Sequence, residues 1–423
     1  MTKDLALANQ YSKPIFVARQ AVYNRDRKVW GYKLLFRHSE EATSADFKDP
    51  SLATARMIVD GFSLAQHGVK PDKKLFVHFP NDLFRRNAPV ALPPDRCVVE
   101  MQNDMKPDEE SINTCTNLRE AGYKLAIGLP CYEPLLRQAD IVKINTLGKD
   151  IGAIEKLALK IKPLKKILMA ERLEEKRLYD ATMAMGFHLF QGFLFSKPEV
   201  VPGRKISVSS ATKLRLIHEL SDENYEVSKL ARTISSDISL SYRFLKFVNS
   251  AAFSLREKVK SLEHAVTMVG QKPLKHWLMA VTLFEISKDP TAEELVFISL
   301  QRGRFLELLG DAMEKPPFHP DILLLLGMFS LLDALLGQDM SVITSELPLE
   351  DEILAALKGE ENEAHDWIYL AESVEKGDWS KVNTILSKHG LNAKDGAVKY
   401  NMASLWAQEL LSTTQEAAEE VAS

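Results

Sequence analysis

Lys33 and Arg37 bracket a short apolar run, Lys33-Leu34-Leu35-Phe36-Arg37, near the start of the chain. Their chemistry is that of partners for anions. A lysine ammonium carries donors and no acceptor, and an arginine presents a rigid planar fork that suits phosphate. Neither can coordinate a divalent cation, which takes carboxylate and carbonyl oxygens. The other reactive side chains form no catalytic set by spacing. Cys97, Cys115 and Cys131 are odd in number and lack a C-x-x-C pair, so they read as free thiols of a reducing cytoplasm. Cys131 has no neighbouring His or acid that would mark a nucleophile. His218, His264, His276 and His319 have no H-x-x-x-H spacing, so no zinc or iron cofactor is expected. Lys156, Lys160, Lys162, Lys165 and Lys166 lie beside Glu155 without interleaved aromatics, and read as a solvated helix face.

Two kinds of element must position these residues. Residues 15–20 and 29–36 have strand character and are joined by a charged turn around Asn24 and Arg27. A helical period follows at Leu52, Ala55, Val59 and Phe62. Strand-like runs at 74–79, 96–101, 123–127, 140–144, 166–170 and 187–190 then alternate with helix-like segments such as 108–121, 149–161 and 174–185. This alternation predicts a parallel sheet closed into a (β/α) barrel of the TIM type, with its chemistry at the carboxyl ends of the strands. An open doubly wound sheet would carry a Gly-rich phosphate loop after a strand, and none is present.

The pattern breaks at Pro198, Pro202 and Gly203, and beyond Lys205 the period is helical. Val227, Leu230, Ala231 and Ile234 share one face, as do Leu274, Trp277, Leu278 and Val281 after Pro273, which is expected as a first helical residue. Ser261 reads as an N-cap and Gly270 as the end of the helix after it. The apolar stretch 322–337 contains Ser330 and Asp333 and falls short of the roughly 20 residues needed to cross a bilayer, so it reads as one buried helix. The expected fold is therefore α/β plus all-α, with a barrel domain over 1–203, a helical domain over 204–415 and a disordered acidic tail over 416–423.

A chain of 423 residues and 47.6 kDa supports two or three domains at about 150 residues each. With a net charge of -4 and a pI near 6.3, it has no global field to draw nucleic acid or a membrane surface. The first ten residues lack the apolar core of a signal peptide, so the expected location is the cytoplasm.

The pentad at 33–37 resembles the ExLxR signature on the first barrel strand of EAL domains, the phosphodiesterases of the bacterial messenger cyclic di-GMP, with Lys33 where the family has its metal-binding Glu. The resemblance runs on through the first half of the chain. His78 stands at the family's strand-end Asn, Glu100 at its next acidic ligand, and Gly128-Leu129 at the paired Asp of the DDFG segment. Lys143 matches the Lys of the K-I-D strand, although Asn145 replaces the following Asp. Glu171 and Glu174 match the A-E-G-V-E segment, and Gln191-Gly192 the Q-G element. By the same resemblance, Arg37 is the residue that reaches a phosphate of the dinucleotide.

In the second half, Phe244-Leu245-Lys246-Phe247-Val248-Asn249-Ser250-Ala251 is similar to an element of the HDOD domain, a relative of the HD metal phosphohydrolases. Gly327-Met328-Phe329-Ser330-Leu331 lies where such a hydrolase has G-L-L-H-D, and Ser330-Leu331 cannot replace a His-Asp ligand pair. Asp333 and Asn249 read as structural polar residues. The His365-Asp366 pair comes too late in the chain to be that motif.

Hydrolysis of a phosphodiester needs a strong nucleophile and neutralised phosphoryl oxygens, which a pair of metal ions about 4 Å apart supplies. Three of the carboxylates that the family uses to hold it are missing here. An ammonium at Lys33 close to Glu100 and Glu171 would stand in for the metal charge, with a gross Coulomb energy of about 4 kcal/mol at 4 Å and an effective dielectric near 20, much of it offset by desolvation. The sequence thus points to a non-catalytic signal-transduction adaptor without cofactors. Its expected partners are signalling proteins such as a kinase or response regulator, and EAL barrels suggest a homodimer. The alternatives are a receptor that binds cyclic di-GMP without cleaving it, through Arg37, and a weak metal-dependent phosphodiesterase.

Overall fold

Eight strands, β1 to β8, close into a barrel in sequence order: Ile15–Tyr23, Val29–His38, Lys74–His78, Cys97–Met101, Lys124–Gly128, Ile141–Asn145, Ile167–Glu171 and Leu189–Phe190. The computed structural model describes residues 15–38, 50–66, 69–196, 217, 244, 247–248, 270–284, 292–345, 347 and 349–422. The chain divides into two compact units, Met1–Lys197 with Val374–Trp379, and Pro198–Ser373 with Ser380–Ser423.

The barrel departs from an all-parallel sheet at one strand. A tight turn, in which Asn24 Oδ1 accepts from the Asp26 and Lys28 amides, sends β2 back along β1, so β1 is antiparallel to both β2 and β8. From β2 to β8 the pairs are parallel. Side-chain alternation sets the register. Val22, Phe76, Val98, Ala126, Ile141, Met169 and Leu189 point inward and fill the barrel, with Trp30 against Phe76. Their neighbours Val77, Val99, Ile127, Val142 and Leu168 point outward to the helices.

The helices of this unit are α1 (Pro50–Gln66), α2 (Asn81–Arg85), α3 (Glu109–Glu120), α4 (Glu133–Gln138), α5 (Ile151–Ile161) and α6 (Lys176–Met185). Asp108 and Asp150 cap α3 and α5 by accepting the Ser111 and Ala153 amides at 2.9 and 2.7 Å, which starts each helix one or two residues later than the pattern predicts. On α1 the buried stripe is Ile58, Phe62 and Ala65, whereas Val59 is exposed.

The second unit contains α7 (Gln271–Phe284), α8 (Ala292–Gly310), α9 (Pro320–Phe329), α10 (Leu332–Leu336), α11 (Met340–Thr344), α12 (Asp351–Leu357), α13 (Glu363–Lys376) as far as Ser373, α14 (Trp379–Lys388) from Ser380, and α15 (Ala393–Ala422). Leu274, Trp277, Leu278 and Val281 are all buried on α7, as their spacing predicts. Pro273 is not its first residue, since the helix begins at Gln271 after Gly270 at φ +84°. The expected single helix over 322–337 is two, broken where Ser330 and Leu331 leave the helical path; Ser330 Oγ donates back to the Gly327 carbonyl at 2.7 Å. The expected disordered tail is also corrected: α15 continues to Ala422, through a segment rich in the strong helix formers Ala and Glu. Val227, Leu230, Ala231, Ile234, Asn249 and Ser261 lie outside the described residues.

Helix α8 is central to this unit and buries side chains on every face, including Arg302 and Glu307. Lys272, Arg304 and His276 surround Glu307 at 2.6, 2.6 and 3.4 Å. Burial works to raise its pKa, but these groups outweigh it and hold the carboxyl well below the usual carboxylate range. Helices α8 and α9 approach backbone to backbone at Gly303 and Gly327. A methyl group added at Gly303 would lie 2.6 Å from both the Leu324 carbonyl oxygen and Met328 Cγ. The Gly303→Ala variant is therefore expected to lose about 1–3 kcal/mol and to melt earlier. Gly152→Ala, whose methyl meets nothing nearer than Asp150 Oδ1 at 3.6 Å, is the matched control in the same thermal scan.

Candidate functional site

Two residues beyond the side chains that fill the barrel, the same inward alternation brings His78, Glu100, Gly128, Lys143, Glu171 and Gln191 to the carboxyl ends of β3 to β8. On β1 the matching step from Val22 leads to Gln20, which pairs in register with Lys33 of β2. A polar layer thus sits directly on an apolar one. Lys33, His78, Glu100 and Lys143 line an open pocket at this mouth together with Gln102, Asn103 and Asp104.

Four charged side chains in the layer are joined. Lys33 Nζ lies 2.6 Å from Glu171 Oε1 and 3.8 Å from Glu100 Oε1, and Lys143 Nζ lies 3.1 Å from Glu100 Oε1 and 3.4 Å from Glu171 Oε1. Glu100 is 1 % exposed, Lys143 6 % and Glu171 9 %, so each charge depends on the others for the solvation it has lost. Burial works to lower the Lys33 pKa, but Glu100 and Glu171 outweigh it and hold the ammonium above the usual lysine range. At Glu171 burial works to raise the pKa, and Lys143 and Lys33 overcome it, keeping the carboxyl well below its ordinary value. At His78 desolvation in the concave mouth leads, with Lys143 and Lys33 adding to it against Glu100. The ring is pushed below the usual histidine value.

The remaining residues singled out from sequence have different places. Gln191 is buried and structural: its Nε2 donates to Gln20 Oε1 at 2.6 Å, and its backbone pairs with Ala170 and Leu173. The glycine after it is required because a methyl group at Gly192 would overlap the Leu173 backbone. Glu174 is exposed on the loop between β7 and α6, outside the residues that line the mouth. Arg37, the last residue but one of β2, pairs in register with Phe16, and its side chain lies outside the described residues. Two contributors escaped sequence reading. Gln20 was legible in principle from its alternation with Val22. Asn103 was not: it comes from the loop after β4, accepts the Gly128 amide at 2.9 Å, and fills the space that a side chain at position 128 would need.

A divalent ion in this layer would need several oxygen donors around one point. Lys33 puts an ammonium between Glu100 and Glu171 instead, and Gly128 contributes no ligand. Among the described residues no group of three His, Cys, Asp or Glu side chains is arranged to hold a metal ion. The residues present do not fit the metal pair that the EAL resemblance implies.

In the helical unit, Ser330 Oγ accepts from Arg302 Nη1 at 2.9 Å and Leu331 is buried among apolar residues. Burial pushes the Asp333 carboxyl up to about 6, against the Ala334 amide and Arg302. His319 caps α9 by accepting the Asp321 amide at 3.3 Å. His218 and His264 lie outside the described residues. Burial also pushes the thiols up, Cys115 to about 12 and Cys131 to about 11, away from nucleophile chemistry. Lys156, Lys160, Lys162 and Lys165 are exposed, and Lys166 Nζ donates to the Arg137 carbonyl at 2.8 Å.

An eight-stranded barrel with one reversed strand, joined to a helical unit, defines a two-domain class. Residues 208–335 match the HDOD domain family. The chain is 30 % identical over 410 residues to the uncharacterized protein YuxH of Bacillus subtilis, covering 94 % of this chain and 99 % of the relative. It is also 30 % identical over 403 residues to the cyclic di-GMP phosphodiesterase CdgJ of Vibrio cholerae, covering 93 % of each. Similar solved structures include the Klebsiella pneumoniae BlrP1 complex with manganese and cyclic di-GMP, at 20 % identity and a TM-score of 0.38, covering 44 % of this chain and 56 % of that one. The chain belongs to the EAL-HDOD family of two-domain signalling proteins. No helix among the described residues is long and apolar enough to cross a membrane.

The charge network carries a pH signature. Glu171 has a lowered folded pKa, so its contribution is present above the unfolded glutamate value near 4.3 and is lost as pH falls through the folded value. Glu171→Gln is expected to cost about 1–3 kcal/mol at pH 7. Denaturant midpoints of variant and wild type should converge as pH drops from about 4 toward 2. A gap that stays constant over that range would mean that Glu171 contributes by packing alone.

Proposed function

We propose that this chain is a non-catalytic member of the EAL-HDOD family that works in cyclic di-GMP signalling by binding other signalling proteins. The observation that carries this reading is the Lys33 ammonium, 2.6 Å from Glu171 and 3.8 Å from Glu100 in the barrel layer where the metal-dependent reaction needs a cation centre. Gly128 and Leu129, in place of two carboxylates, support it from the next strand. A relative at 30 % identity is named for phosphodiesterase activity, and the EAL resemblance implies that such chemistry would use the positions occupied here by Lys33, His78, Gly128 and Leu129. The free, buried thiols Cys97 and Cys115 are compatible with a reducing cytoplasm, where a partner such as a kinase or response regulator would be met.

The test is turnover and binding on the full chain. With Mg²⁺ or Mn²⁺ present, cyclic di-GMP is expected to remain uncleaved, and calorimetry is expected to show no metal-dependent heat, while affinity capture followed by quantitative binding identifies a protein partner. Cleavage that disappears in Glu100→Gln or Glu171→Gln would overturn the reading in favour of a phosphodiesterase. Saturable dinucleotide binding without cleavage would replace the adaptor by a receptor.

A further inference from the structure

The two carboxylates at the barrel mouth are arranged as the acidic half of a cation site whose cation is covalently part of the chain. We propose that Glu100 and Glu171 form a latent divalent-cation site which Lys33 fills permanently with its own ammonium, making the geometry of the strand ends independent of metal. This inference rests on the same site as the proposed function but concerns what holds that site together rather than whom the protein binds.

Charge and position both support it. Lys33 and Lys143 balance Glu100 and Glu171, so the wild-type cluster is neutral and offers a metal ion no net attraction. Lys33 contacts one oxygen of each carboxylate from the pocket side, with 21 % of its side chain exposed, while Lys143 reaches the same two oxygens and is only 7 % exposed. The outer ammonium is therefore the one standing between the carboxylates and solvent. Replacing it by a neutral side chain leaves two carboxylates against one ammonium. Replacing it by a carboxylate leaves three against one, gathered around one point with hard oxygen donors of the kind that Mg²⁺ and Mn²⁺ select. The neighbouring strand supplies no competing cation, because position 128 is glycine and the space beside it is taken by the neutral Asn103.

The experiment compares the full-length wild type with Lys33→Glu and Lys33→Gln, using Mn²⁺ as the probe in calorimetry and in thermal melts with and without the ion. The expected result is no binding by wild type. Lys33→Glu should bind at least about a hundred-fold more tightly than wild type, with Lys33→Gln between them, following the net charge of the cluster. Both variants should melt earlier than wild type without metal, and Mn²⁺ should raise the melting temperature of Lys33→Glu but not that of a Lys33→Glu/Glu171→Gln double variant. If Lys33→Glu folds only when Mn²⁺ is supplied during refolding, the proposal is equally supported. It is overturned if wild type binds Mn²⁺ as tightly as the variants do, or if neither variant gains binding. Metal-dependent turnover by wild type would defeat the adaptor reading and this inference together, whereas failure of the variants to bind metal would defeat this inference alone.

Discussion

Four charges, three of them nearly out of reach of water, meet across the open end of the barrel. Lys33, Lys143, Glu100 and Glu171 come from β2, β6, β4 and β7, so every ion pair but Lys143–Glu171 spans strands that are not hydrogen-bonded neighbours. The network ties the barrel across its mouth as the backbone ladder ties it around its circumference. Buried pairs of this kind contribute little when assembled from water and cost a great deal when half removed, because the survivor is left charged and unsolvated. The cluster is therefore a constraint more than a source of stability: whichever residues occupy it must sum to a tolerable charge.

That constraint links electrostatics to chemistry. In a barrel whose mouth carries an excess of carboxylates, external cations restore balance and become available as Lewis acids. In this chain the balance is internal. The positive charge is a fixed donor with no acceptor capacity, so it can neutralise carboxylates without activating water. Neighbouring positions agree with this arrangement: Asn103 closes the space beside Gly128, and Gln191 is tied to Gln20 in the wall of the barrel. The helical unit has a comparable solution, with Glu307 enclosed by Lys272, Arg304 and His276 and with Arg302 hydrogen-bonded to Ser330.

The apolar framework beneath the polar layer explains why the site can vary while the fold persists. Phe76, Val98, Ala126, Ile141 and Met169 fill the barrel one step below it, and the outward-facing residues between them bind the helices. Neither set depends on the identity of the residues above. A strand that keeps its alternation keeps its register, and register alone decides which side chains reach the mouth.

Much of this was legible in the chain itself. Alternating strand and helix patterns specified the barrel, and the residue types at 33, 78, 128 and 129 stated which atoms each side chain could offer a metal, because coordination depends on the atoms a side chain carries. Other features could only emerge in three dimensions. The reversal of β1 depends on a turn whose hydrogen bonds are local but whose consequence is pairing with the far end of the sheet. The break between α9 and α10 follows from Ser330 satisfying its own helix while Arg302 approaches from another. Asn103 beside Gly128 and the convergence of two lysines on two glutamates join residues far apart in sequence. Residue identity settled which chemistry each side chain can perform. Folding decided which charges share a desolvated space, because electrostatic coupling depends on distance and burial, and neither is a property of the sequence order.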